Sequence, residues 1–447
     1  MRLSGLALAV CLALLLAAPP AGAATREFKL RYGPIGVDGY GTTIESVKAP
    51  TPRMDGFITR MHARVVDGAG RPVPVTKVML HHVLFSTRNR EDNTYCPGAS
   101  QRFYGTGEEN QWLRLPPGYG YAIARDDRWK LSFMLMNHRQ RFDKTYLEYR
   151  VTVEDDPATV PVRPVWLGAT KCLRDPIFNV PGGDEPGSTF VRSHTWEAPV
   201  DGRLVAAAGH AHGGTRSLEL SQPRCGDRRL LASMPRYGHP DNPVYHVLPV
   251  LHEPGPIDMS WWNSATGVPI RKGEQLKVNA LYDGEMPHTR AMGILHAYFA
   301  PSEPGADDGC RELPADVVRL DEGRDGVDEP PRVVVPLTGL DRRGRARTIK
   351  RPPGPLRVFD GSAQIPVRGF SFSQRNLSIP LGASLTWRFF GTREVHNVTL
   401  ANGPEGFGSQ HLNGGKRYRR TFTKPGIYRL FCSLHPIAMS QRVIVRD

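Results

Sequence analysis

An all-β protein is what this sequence predicts, and three observations predict it. Gly (46) and Pro (40) in 447 residues together exceed average usage. Short runs of alternating apolar and polar residues recur along the chain, separated by Gly, Pro and Asp. No long stretch carries the 3.6-residue apolar period of an amphipathic helix. The length allows two or three domains with a large buried core.

The elements follow in order. Residues 1–23 read as a secretory signal: Arg2, an apolar run from Leu6 to Ala18, then Ala21-Gly22-Ala23 before Ala24. Cys11 lies inside the apolar run rather than behind a cleavage site, which argues against lipid anchoring. No later run reaches the length that spans a bilayer. The expectation is a secreted or extracytoplasmic protein with no transmembrane segment. In 24–156, Met61–Val66 leads through Asp67-Gly68-Ala69-Gly70 toward Val78–Phe85, an expected hairpin. Trp129–His138 and Tyr146–Glu154 are further strands. A second group, 157–301, includes Arg203–Gly214, Gln275–Tyr282 and Ala291–Phe299. Residues 302–353, rich in Pro, Gly, Asp and Arg, read as a linker with one strand at Arg332–Leu337. A last β module occupies 354–447.

The formal charge of +14 is spread along the chain, with clusters at Arg342–Arg347 and Lys416–Arg420. It carries no nucleic-acid motif, so it reads as solvation, with docking to an acidic redox partner as the lesser use.

The most specific chemistry lies at the end of the chain. Gly426–Cys432 is a strand, and Cys432, His435 and Met439 follow one another on the loop before Gln441–Val445. His396 lies upstream, after the alternating stretch Leu377–Phe389. One thiolate, two imidazoles and a weak thioether are the donors of a blue-copper electron-transfer site. This stretch, about the last fifth of the chain, resembles the cupredoxins (plastocyanin, amicyanin, pseudoazurin). The resemblance implies a Greek-key β-sandwich holding one type 1 copper, with His396, Cys432 and His435 as strong equatorial ligands and Met439 as the weak axial one. Cys432 to His435 keeps the C-x2-H spacing of plastocyanin and amicyanin. His435 to Met439 is H-x3-M, between the H-x2-M and H-x4-M of those proteins, which bears on the Met439–copper distance. The residues flanking Cys432 are Phe431 and Ser433, not the histidines that wire a multicopper oxidase to its trinuclear cluster. Laccase-type chemistry is excluded on that ground.

With Cys11 in the signal and Cys432 required as a thiolate, Cys96, Cys172, Cys225 and Cys310 remain. An even number in an exported chain favours two disulfides. Three pairings are open, and Cys96–Cys172 with Cys225–Cys310 would put one bridge in each half of the first 300 residues.

A second constellation lies upstream. His210 and His212, at i and i+2 on a strand, share a face as a chelating pair, and Gly209, Gly213 and Gly214 leave room beside them. His81 and His82 are adjacent, so both reach one metal only if the strand bends or ends there. His138 closes the strand that carries Met134 and Met136, and Met292 opens another, with His296 and His288 as competing ligands. In the order HH, H, HxH, M these residues resemble the copper type II, ascorbate-dependent monooxygenases (peptidylglycine α-hydroxylating and dopamine β-monooxygenase). The region also resembles a plant stress-upregulated nodulin-type family. The monooxygenase resemblance implies two β-sandwich lobes with one type 2 copper each: His81, His82 and His138 in the first, His210, His212 and Met292 in the second. It implies an electron-relaying copper, a second copper that meets O2, and a small organic substrate. His62, His194, His239, His246, His252 and His411 have no partner at ligand spacing and read as structural. Asn376-Leu-Ser378 and Asn397-Val-Thr399 are formal glycosylation sequons, with Asn397 better read as organising its strand.

The functional expectation is an exported copper redox protein. Its C-terminal module exchanges single electrons with a monooxygenase-like region and with a redox partner protein or small-molecule donor. Two readings compete: a non-catalytic electron carrier whose first 300 residues serve docking, and a copper-sequestering protein.

Overall fold

The computed structural model describes residues 24–92, 96–173, 175–302, 310, 312–391 and 394–447. The expected signal, 1–23, lies outside the described residues. The regular structure of the described residues is almost entirely strand, with short 3-10 turns at Pro223–Cys225 and Pro243–His246. Among the described residues no helix is long and apolar enough to cross a membrane.

Among the described residues, the six sheets of four or more strands stack in pairs. In the first pair, Thr25–Val37, Asp143–Glu154, Gly56–Val66, Tyr119–Ile123 and Val160–Pro161 run in that order, with Leu113–Arg114 beside Gly56–Val66. Opposite them lie Thr42–Lys48, Trp129–Asn137, Val78–Glu91 and Ser100–Gly107. Alternation decides which side of each strand turns inward: Met61, Ala63 and Val65 are buried while Arg64 between them is not. Phe85, Phe103, Trp129 and Tyr149 fill the space between the sheets, each contributing roughly 1.5–3 kcal/mol by leaving water.

The expected hairpin does not form. Gly56–Val66 and Val78–Glu91 belong to opposite sheets, and only Val66 and Pro72 pair across the turn. Both strands carry an apolar face, and setting them across the core buries both faces against each other.

The second pair joins Arg163–Gly168, Gly293–Pro301, Gly202–Ala211, Trp261–Ile270 and Val318–Leu320 over Thr189–Glu197, Gln275–Asp283, Thr215–Gln222 and Arg228–Ser233. Val205, Ala206, Ala208, Trp261 and Tyr298 pack into the first core, so the two lobes share buried surface. Disulfides join Cys96 to Cys172, between the lobes, and Cys225 to Cys310. Arg332–Leu337 is not a strand. Pro331 and Pro336 offer no N–H to a ladder, and Val335 and Leu337 are instead buried with Val250 and Phe431. A short hairpin follows, Thr338–Leu340 with Ala346–Thr348.

The third pair sets Leu356–Val358, Asn376–Pro380, Ser440–Arg446, Gly426–Phe431 and Thr399–Asn402 against Ser371–Phe372, Ala363–Arg368, Ser384–Phe390 and Arg417–Thr421. Its core, around Trp387, Phe389, Tyr428 and Cys432, is continuous with Met79, Met134 and Met136 of the first lobe. The C-terminal sandwich is therefore packed onto the other two.

Candidate metal centres

Cys432 follows the strand Gly426–Phe431, and the loop after it folds back tightly. His435 N–H donates to Cys432 O, Met439 N–H to His435 O, and Cys432 N–H to Met439 O, at 2.9–3.0 Å. The three-residue spacing between His435 and Met439 thus closes one compact turn, with Met439 fully buried in the core that holds Cys432. His396 arrives from the facing segment, where it bridges to Leu412. Its Nδ1 lies 3.1 Å from His435 Nδ1, and His435 Nδ1 lies 3.6 Å from Cys432 Sγ. The ligating atoms of His396, Cys432 and His435 all fall within 4.8 Å of one another. Asn397 ties the two segments together: its side chain donates to Ser433 Oγ at 2.7 Å and accepts from Ser433 N–H at 2.8 Å. Its backbone N–H points at Cys432 Sγ, 3.4 Å away. Asn376 and Asn397 are both buried, so neither sequon is open to a sugar in the folded chain.

The upstream histidines converge where the sandwiches meet. A β-bulge falls between Leu80 and His82 on the strand Val78–Glu91. The extra residue, His81, re-aims the strand and brings His81 Nδ1 to 3.3 Å from His82 Nδ1. His81 also packs edge-on against His212, with ring centroids 4.8 Å apart, and lies 4.6 Å from the His252 ring. His210 and His212 rings are 5.5 Å apart. His81 and His82, expected in one lobe site, and His212, expected in the other, therefore meet at one cavity, which His138 does not line. Met292 sits in the break between the strands His288–Ala291 and Gly293–Pro301 and lines the same cavity.

Three of the imidazoles are held at one ring nitrogen and bare at the other. His210 Nδ1–H donates to Glu109 at 3.0 Å, His212 Nδ1–H to the Arg290 carbonyl at 2.7 Å, and His138 Nδ1–H to the Pro249 carbonyl at 3.0 Å. The Nε2 atoms of all three are buried without a hydrogen-bond partner. One nitrogen fixed by an acceptor with the other left bare is how proteins prepare metal-binding imidazoles. Burial first, then the neighbouring imidazoles, holds the pKa of His81 and His212 well below the ordinary value. Burial likewise lowers His82 to about 3 and His138 to about 4. These rings are neutral at physiological pH, the form that binds metal. At His210 burial works downward too, but Glu109 and then Glu108 leave the net shift upward.

Glycines make room around the cluster: Gly213 lines the cavity itself, and Gly107 adds a position the spacing did not suggest. A Cβ at Gly107 would stand 2.7 Å from the His210 ring, and one at Gly214, where φ is +83°, 2.2 Å from His288. His288 is held by Glu253 at 2.9 Å, and His296 lies against Trp166, centroids 3.9 Å apart. Neither lines the cavity.

A cavity of about 60 Å³ lies at the centre. His81, His82, Met134 and Met136 line it from the first lobe, His212, His252 and Met292 from the second, and Phe431, Ser433 and His411 from the C-terminal sandwich. The chain neighbours of Cys432 thus face the histidine cluster. His252 and Glu108 were not legible as site residues, because each stands alone in a loop with no partner at fixed spacing.

No model of a known protein family matches the chain. It is 25% identical over 241 residues to a probable copper-dependent oxygenase of Phoma sp., covering 52% of this chain and 58% of that protein. A probable copper-dependent oxygenase of Cochliobolus lunatus is 23% identical over 221 residues, covering 46% of this chain and 63% of the relative. The chain thus spans about three fifths of the length of these curated relatives. Among solved structures, a reduced copper(I) form of an amicyanin variant aligns at 25% identity and a TM-score of 0.18, covering 20% of this chain and 85% of amicyanin. The relatives are copper-dependent oxygenases by description, and the similarity to them is weak.

Proposed function

We propose that this protein is a copper-dependent oxidoreductase in which the C-terminal sandwich is the electron port for a copper site at the junction of the two lobes. One observation carries the reading: Phe431 and Ser433, on either side of Cys432, line the same cavity as His81, His82, His212 and Met292. His396, Cys432, His435 and Met439 would hold a type 1 copper. The fit rests on three converging donor atoms, two on the compact 432–439 turn and one on the segment facing it. His81, His82, His138, His210, His212 and Met292 would hold copper at the junction, and the bare, buried ring nitrogens support that assignment. Copper would supply one-electron chemistry in both places and reaction with dioxygen at the junction.

The chain's own residues do the rest. Asn397 and the compact 432–439 turn hold the donors still, which limits reorganisation when charge changes. Glu109 and the Arg290 carbonyl set the tautomers of His210 and His212. Met134, Met136, Met292 and Phe431 keep the cavity largely apolar, a setting for a small organic substrate. Similarity to proteins described as copper-dependent oxygenases supports an oxygenase over a plain carrier.

Oxygen consumption by copper-loaded protein in the presence of an electron donor tests the proposal. Loss of activity in both His210→Ala and Cys432→Ser is the expected pattern. Full activity in Cys432→Ser would remove the C-terminal centre as an obligatory relay. Copper bound only at the C-terminal centre would favour the electron carrier.

A further inference from the structure

We infer that His81, His252 and Glu108 together form a metal site at the lobe junction, a donor set of two imidazoles and one carboxylate. This rests on the proposed copper chemistry of the cavity and names ligands there that the sequence pattern did not supply. His81 comes from the bulged strand of the first lobe, Glu108 from the turn after Ser100–Gly107, and His252 from a loop of the second lobe. Their ligating atoms all lie within 4.8 Å of one another. Among the described residues, this convergence of His, Cys, Asp or Glu donors occurs in one other place, at His396, Cys432 and His435.

The polar environment fits a ligand set better than a plain ion pair. Glu108 Oε2 is fixed by Gly255 N–H at 2.9 Å, while Oε1 meets His252 Nε2 at 2.5 Å. His252 Nδ1 is buried with no hydrogen-bond partner. A bare buried ring nitrogen costs about 1–3 kcal/mol, and His252, unlike the similarly paired His288, belongs to a set in which a second imidazole and a carboxylate converge. The His81 ring, 4.6 Å from His252, is the other imidazole at that point. Close contact between donor atoms is also what the C-terminal centre displays, where His396 and His435 nitrogens sit 3.1 Å apart. Imidazole and carboxylate donors together suit a divalent first-row metal ion, Cu(II) among them.

The test titrates full-length protein with Cu(II). Bound copper per chain is counted by mass analysis, and the blue absorption reports the C-terminal centre and the fold in the same sample. His252→Gln, whose side-chain amide reaches the position of the imidazole Nε2, and Glu108→Gln each keep the hydrogen bond between the two side chains while removing the imidazole or the carboxylate donor. The expected result is that each weakens the colourless copper by at least about 100-fold, beyond the 10–100-fold typical of an outer-shell partner, with the blue absorption unchanged. Colourless copper bound as tightly in both variants as in the parent overturns the inference and leaves His252–Glu108 an ion pair. A parent that binds blue copper alone overturns the inference and the junction site together. Colourless copper that depends on His252, in a protein that never turns blue, upholds the inference and removes the proposed electron port.

Discussion

Glu109 accepts twice with one oxygen, from Gly107 N–H at 2.8 Å and from His210 Nδ1–H at 3.0 Å. It fixes which ring nitrogen of His210 faces the cavity, and its other oxygen is buried without a partner. Glu109→Gln keeps an acceptor but removes the charge that makes the imidazole a stronger donor. The expected effect is 10–100-fold weaker Cu(II) binding at the junction, read by competition with a chelator, with the blue absorption retained. Glu148 shows the opposite use of a carboxylate. Burial alone would raise its pKa, but Arg64, then Lys29 and Arg31, pull it below the usual carboxylate range. A folded pKa below the unfolded one stabilises the protein above the ordinary carboxylate pKa, and that stabilisation fades as pH falls through the depressed value. Glu148→Gln should therefore cost about 2 kcal/mol at neutral pH and flatten the acid limb of a stability–pH profile measured by denaturant unfolding.

At the level of elements, the strand His288–Ala291 joins the two halves of the proposed chemistry. Arg290, at φ +56°, turns its carbonyl to His212 and its guanidinium to the C-terminal sandwich. There it donates to the Ser409 carbonyl at 2.9 Å and to His411 at 3.1 Å, and it pairs with Asp175 at 2.9 Å. Thr289 beside it donates to the Leu400 carbonyl at 3.1 Å. Arg290→Ala removes the grip and leaves the carbonyl, so loss of about 2 kcal/mol is expected in unfolding experiments. Slower reoxidation of the reduced blue centre, followed by stopped-flow absorbance, is expected alongside it. A rate equal to the parent's would show that docking by Arg290 has no part in electron transfer. The bulge at His81 is the second such element. Strand alternation would send His81 and His82 to opposite faces, and one extra residue puts both on the cluster.

On the scale of the whole molecule, the histidine cluster exists only because the first two sandwiches meet, and the C-terminal one closes the cavity beside it. The Cys96–Cys172 bridge ties the first lobe to the second across a sequence separation of 76. Replacing both cysteines by Ala should cost about 4 kcal/mol if loop entropy dominates, measured by denaturant unfolding. Because the cavity is lined from both lobes, junction copper should also bind more weakly, while the blue centre, built within one sandwich, should be unaffected. Equal loss at both centres would argue that the sandwiches unfold as a single unit.

Several features were legible in the residues. Strand alternation and turn chemistry gave the all-β architecture, since both are local properties of the chain. Cys432, His435 and Met439 were legible because one loop carries them at short spacing. His210 and His212 were legible because strand periodicity aligns positions two apart. The disulfide pairing, the crossing of Val78–Glu91 to the opposite sheet and the bulge at His81 were settled only by folding. So was the meeting of His81 and His82 with His212 and His252 around one cavity. Those features depend on which surfaces pack together. That choice is made by buried area and shape over the whole chain, and no spacing between residues encodes it.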